Sequence, residues 1–159
     1  MGTEIERKFL VDVGRWQPRD EGTPFRQGYL SSHPERTVRV RLEGEHAVLT
    51  IKGLTRGISR TELEYPIPRA DAEQMLAELC EQPLIDKHRH VEVHAGVTWE
   101  IDVFHGANAG LVIAEVELES DTASPALPPW IGRDVSADPR YYNANLVAHP
   151  YSQWQAHGD

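Results

Sequence analysis

A two-residue alternation of charged and apolar side chains runs through most of this chain, and it leaves little choice of fold. In TVRVRLE, Arg39 and Arg41 alternate with Val38, Val40 and Leu42; in TWEIDVF, Glu100 and Asp102 alternate with Trp99, Ile101 and Val103. In IAEVELE, Glu115, Glu117 and Glu119 alternate with Val116 and Leu118. Period two belongs to β-strands, whose successive side chains point to opposite faces. Strands are expected at roughly 3–12, 25–32, 36–43, 45–54, 59–68, 83–95, 97–105 and 110–119, with turn signals such as His33-Pro34, Gly44, Gly96 and Gly106 between them. The stretch ADAEQMLAELCE, residues 70–81, instead carries Ala72, Met75, Leu76, Leu79 and Cys80 at helical spacing, and Pro83 ends it. The tail differs again. SPALPPWIGRDVS is a proline-rich turn region with room for a short strand, and YYNANLVAHPYSQWQ suggests short helices broken near Pro150.

These elements predict a mainly β (α+β) chain, one domain over residues 1–159, built as an eight-stranded antiparallel closed β-barrel with a few flanking helices. Closure removes exposed strand edges, and eight strands can enclose one small ligand. The net charge of −9, from 25 acids against 16 bases, argues against nucleic acid as a partner, because such affinity comes largely from Lys and Arg on phosphates. The single cysteine, Cys80, permits no internal disulfide, and no secretory signal or membrane helix is visible; the expectation is a cytoplasmic protein with no membrane partner.

The charges are sorted by strand. Side chains at i and i+2 share a face about 6.7 Å apart. The first strand aligns Glu4, Glu6 and Lys8; the fifth aligns Arg60, Glu62 and Glu64; the sixth aligns Lys87 and Arg89; Lys52 stands beside Thr50 on the fourth. One wet face accounts for any single strand, but a solubilising face mixes both signs. Here like charges repeat within strands, and two carboxylates at that spacing repel by ~2.5 kcal/mol at an effective dielectric of about 20. Such pairs inside a partly enclosed barrel call for cations on the acidic side and anions on the basic side. A divalent metal with a polyphosphate supplies both. A membrane barrel is also apolar outside and polar inside, but the charged helix and helical tail do not suit one.

Glu4-x-Glu6-x-Lys8 at the N-terminus resembles the signature of the CYTH superfamily, the triphosphate tunnel metalloenzymes. The likeness extends through Gln27-Gly28-Tyr29-Leu30, Arg39-Val-Arg41, Thr50-Ile-Lys52-Gly53, Arg60-Thr-Glu62-Leu-Glu64, Lys87-His-Arg89, Glu100-Ile-Asp102, Glu115-Val-Glu117 and Tyr142-Asn143. The short length and QGYL look most like the compact bacterial members. The resemblance implies a tunnel that binds a linear triphosphate with Mg²⁺ or Mn²⁺. On this chain Glu4, Glu6, Asp102, Glu115 and Glu117 then look like metal-side acids, with Glu62 and Glu64 serving the metal or its water shell. Lys8, Arg39, Arg41, Arg60, Lys87 and Arg89 look like the phosphate clamp. Lys52 and Tyr29 resemble residues that handle the attacking water, Lys52 as an amine base if nearby cations and poor solvation lower its pKa.

The implied activity is metal-dependent hydrolysis of inorganic triphosphate to pyrophosphate and phosphate. The same tunnel also suits a class IV-type adenylate cyclase, a thiamine triphosphatase or a non-catalytic polyphosphate-binding module. The oligomeric state stays open, a homodimer included. His88 and His90 have the opposite parity to Lys87 and Arg89, so they are expected outside the tunnel. Cys80 is expected in packing, and the tail helix near one tunnel mouth.

Overall fold

The alternating segments pair antiparallel throughout, and most turn a charged face inward. The computed structural model describes residues 2–154. Among them are β1 (Thr3–Val11), β2 (Thr23–His33), β3 (Arg36–Glu43), β4 (His46–Gly53), β5 (Ser59–Pro66), α1 (Arg69–Glu78), β6 (Ile85–His94), β7 (Val97–Phe104), β8 (Val112–Glu117), β9 (Ile131–Asp134) and α2 (Asn143–Ala148), with short 3-10 turns between and after them. Gln155, the last residue of the expected helical tail, lies outside the described residues.

The strands form a ring in the order β5-β4-β3-β2-β6-β7-β8-β1, closed by a β1–β5 pairing. The closing seam is short: Thr3, Glu4 and Ile5 face Thr61, Arg60 and Ser59. Beyond it the same edge of β1 turns to β9, through Phe9 and Val11. The expected barrel is therefore present, with β9 as a ninth strand covering part of β1. Most boundaries shift by one to three residues from the sequence reading. β2 starts earlier, at Thr23, because Pro24 lies near its end, where a missing N–H is tolerated. β8 stops at Glu117 rather than 119.

Three apolar clusters support the ring. Phe9, Trp16, Trp99, Ile101, Ala114, Val116 and Trp130 cover the outside of β1, β7 and β8. Ala72, Leu76 and Cys80, at and just beyond α1, pack on Val40, Leu42 and Ala47 of β3 and β4. The third cluster closes one end of the barrel. Ile85, Phe104 and Ile113 share parity with the charged interior residues of β6, β7 and β8, yet they pack with Tyr141, Leu146, Val147 and Trp154 of the tail. The interior thus changes from charged to apolar along its length, and the tail seals the apolar end. Among the described residues no helix is long and apolar enough to cross a membrane.

β2 carries a register shift between Tyr29 and Ser31. The bulge reverses parity, so Tyr29 and then Ser32 face the interior. Gly28, on the outer side, lets the end of the helical segment approach closely: a Cβ there would lie 2.7 Å from Leu84 Cδ2 and 2.9 Å from Cys80 Cβ. Gly28→Ala is therefore expected to lower the urea midpoint, with a loss of about 1–3 kcal/mol from overpacking. An unchanged midpoint would contradict this packing.

Candidate active site

Inside the ring lies a cavity of about 550 Å³. Glu4, Glu6 and Lys8 enter it from β1, Tyr29 from β2, Arg39 and Arg41 from β3, and Lys52 from β4. Arg60, Glu62 and Glu64 enter from β5, Lys87 and Arg89 from β6, and Glu115 and Glu117 from β8. Every residue expected at the site lines this cavity except Asp102.

Pairing register explains the local arrangement. Glu6 is opposite Glu117 and Lys8 opposite Glu115, while Lys52 is opposite Glu62 and Thr50 opposite Glu64. Lys8 Nζ donates to Glu115 at 2.6 Å and lies 3.8 Å from Glu6. Lys52 Nζ donates to Glu4 at 2.9 and 3.1 Å and stands 3.7 Å from Glu62. The nearest charges to Lys52 are thus carboxylates, not the cations expected around a neutral amine base. Thr50 Oγ1 donates to Glu64 at 2.8 Å and accepts from Arg39 at 3.3 Å. Arg60 donates to the Gly53 carbonyl at 3.1 Å. Buried Arg39 Nε has no hydrogen-bond partner among the described residues.

Asp102 sits deeper than the sequence suggests. It is 2% exposed; its oxygens accept from Arg89 at 2.8 and 2.9 Å, and Lys87 Nζ forms an ion pair with it at 2.8 Å. Its register partner is Ile113, whereas Glu100 is opposite Glu115. Strand parity gives the face but not the depth, so Glu100 is the member of that stripe that lines the cavity and Asp102 lies beneath as counterion to the bases. Alternation alone therefore does not single out Glu100, and nothing in the sequence pattern singles out Asn143. It lines the cavity from α2, and its Oδ1 accepts from Lys87 and from Gln27, each at 3.1 Å.

The field inside is uneven. Burial, then Glu115 and Glu4, push Glu6 up to about 7 against the pull of Lys8 and Lys52. Burial would also raise Glu115, but Lys8, Arg89 and Lys87 outweigh it and hold that carboxyl well below the usual range. For Asp102 the same contest with burial is won by Lys87 and Arg89, which bring it down to about 2. Burial lowers Lys87 to about 8 despite Asp102. Burial and Glu4 raise Glu62. Glu115 thus captures Lys8, and Glu6 is left under-compensated.

Among the described residues no three His, Cys, Asp or Glu side chains stand together as a preformed metal cage. Glu4 and Glu115 hold lysines instead. The donor set nonetheless fits a hard divalent cation, which takes carboxylate oxygens and keeps several waters. His88 and His90 do not line the cavity; His88 contacts His105 at 2.8 Å, and His90 packs on Trp16.

The CYTH domain family matches residues 2–151. This chain belongs to the CYTH family. The CYTH assignment accounts for the charged tunnel and for its closing strand order. The chain is 46% identical over 155 residues to an inorganic triphosphatase of Acetivibrio thermocellus, covering 98% of this chain and 99% of that one. It is 38% identical over 151 residues to an inorganic triphosphatase of Nitrosomonas europaea, covering 91% and 97%. A crystal structure of an inorganic triphosphatase superposes with a TM-score of 0.64 at 35% identity, covering 91% of this chain and 97% of the other.

The electrostatics of this CYTH tunnel yield a pH-dependent expectation. The folded-state pKa of Glu6, about 7, lies above its ordinary 4.5. Its contribution to stability is present in full below about 4.5 and is lost progressively as pH rises to about 7. Glu6→Gln is expected to stabilise the protein in EDTA at pH 8 by roughly 1–3 kcal/mol, and to give no gain at pH 4, as read by urea unfolding. A destabilised Glu6→Gln at pH 8 would contradict this.

Proposed function

We propose that this chain hydrolyses inorganic triphosphate to pyrophosphate and phosphate with Mg²⁺ or Mn²⁺ as cofactor. The observation that carries this reading is the meeting, in one cavity, of a buried basic clamp and an acidic wall whose Glu6 lacks a full counter-charge. The identity to inorganic triphosphatases over nearly the whole chain supports the same substrate.

Lys8, Arg39, Arg41, Arg60, Lys87 and Arg89 hold the phosphate oxygens in this scheme. Planar guanidiniums suit them because each can pair two oxygens at once. The unpartnered Arg39 Nε is a donor that such an oxygen would satisfy. Glu4, Glu6, Glu115 and Glu117 would hold the cation, with Glu62, Glu64 and Glu100 around its waters. The cation, when bound, neutralises charge on the phosphates and polarises the reacting phosphoryl group. Asp102 we assign to orienting Lys87 and Arg89 rather than to the metal, since two hydrogen bonds from Arg89 and an ion pair with Lys87 already occupy its oxygens.

Lys52, between Glu4 and Glu62, orients the attacking water and balances charge on the transferring phosphoryl group. Tyr29, 5% exposed, lines the cavity and packs in the apolar cluster at its tail-sealed end. Phosphoryl transfer needs this positioning and neutralisation more than it needs a covalent nucleophile.

The test is a product assay. With Mg²⁺ or Mn²⁺ the purified protein is expected to release phosphate and pyrophosphate from triphosphate, and none in EDTA. Glu4→Gln should lower kcat by about a hundredfold or more, equivalent to several kcal/mol of transition-state stabilisation. Cyclic AMP from ATP as the main product, or a near-normal Glu4→Gln rate, would overturn the proposal.

A further inference from the structure

The guanidinium carbons of Arg41 and Arg89 each lie 4.7 Å from the centroid of one aromatic ring, Phe25. Lys87 Nζ lies 6.0 Å from the same centroid. Phe25 is 7% exposed and is flanked in register by Glu43 of β3 and Lys87 of β6. It does not line the 550 Å³ cavity; it lines a separate one of about 250 Å³, which shares Lys87 with the first. The ring therefore stands behind the clamp and does not meet what the clamp holds.

We infer that Phe25 is a positioning residue whose ring anchors both Arg41 and Arg89 for the phosphate chain, an inference that rests on the triphosphate reading above. Like charges on Arg41 and Arg89 disfavour each other, and each guanidinium needs an anchor. Arg41 donates from Nε to Glu43 at 2.7 Å, and Arg89 makes its paired bonds to Asp102. Those carboxylates consume N–H donors in the guanidinium plane. A cation–π contact draws on the charge of a guanidinium and consumes no N–H donor, so it adds an anchor without taking a hydrogen bond from the phosphate oxygens. Burial, with Arg39 and Arg89 nearby, disfavours the charge on Arg41. An aromatic face in a desolvated site offsets that penalty at the strong end of the cation–π range.

The experiment replaces Phe25 in the full chain with leucine and, separately, with 3,4,5-trifluorophenylalanine. The second keeps the ring's shape and weakens the negative charge of its face, so it decides the matter even if Phe25→Leu folds poorly. Phe25→Leu is expected to raise KM for triphosphate about tenfold with kcat within about twofold, the pattern of lost ground-state binding. The trifluoro ring should raise KM about three- to fivefold with an unchanged thermal midpoint. Direct titration of triphosphate in EDTA should show the same ratios in dissociation constant. A trifluoro variant with wild-type KM and affinity, or an effect confined to kcat, would overturn the inference. Failure of the wild type to hydrolyse triphosphate would defeat the functional reading instead, while the titration still decides the role of Phe25.

Discussion

A charge held inside a protein is tolerated only beside an opposite charge, and that constraint organises the tunnel. Lysines carry much of the pairing. Lys8 sits on Glu115 at 2.6 Å, Lys52 on Glu4 at 2.9 Å and Lys87 on Asp102 at 2.8 Å. Each pair joins side chains of two different strands, so acidic and basic strands are linked through their interiors as well as their backbones. Glu6 is what the pairing leaves over. A polyphosphate with its divalent cation carries both signs in one object. It can exchange lysine–carboxylate pairs for lysine–phosphate and carboxylate–metal contacts without stranding either partner.

The same barrel is apolar at its other end. Along the inner face of β6, Ile85 gives way to Lys87 and Arg89; along β7, Phe104 gives way to Asp102 and Glu100. Tyr141, Leu146, Val147 and Trp154 from the tail pack against the apolar residues. Asn143, one turn away, reaches back to Lys87. The tail thus seals the barrel and touches the clamp in a single short element. This stopper closes the charged cavity at its apolar end.

Much of this was legible in the sequence, because period two reports faces directly. The stripes Glu4-Glu6-Lys8, Arg39-Arg41, Lys87-Arg89 and Glu115-Glu117 all line one cavity. Depth along a strand was not legible. Asp102 and Glu100 share a face, and only the pairing of Asp102 with Ile113 and of Glu100 with Glu115 tells which one meets the cavity. The surroundings of Lys52 were also hidden, since they depend on ring closure between β1 and β5, which brings Glu4 to it across the seam. The bulge after Tyr29 leaves no periodic trace that distinguishes it from continuous alternation. Phe25 read as one more apolar residue, because a ring that serves cations looks the same in sequence as a ring that fills a core.

The central claim is that opposing charged walls cradle one polyanion and one cation inside the ring. The most direct measurement is a crystal structure with triphosphate and Mn²⁺, using the anomalous signal of manganese to locate the ion. The account predicts a manganese peak inside the tunnel on the side of Glu4, Glu6 and Glu115, with phosphates against Arg39, Arg41 and Arg89. Manganese and phosphate bound only on the outer surface, with the Lys8–Glu115 and Lys52–Glu4 pairs intact, would contradict it.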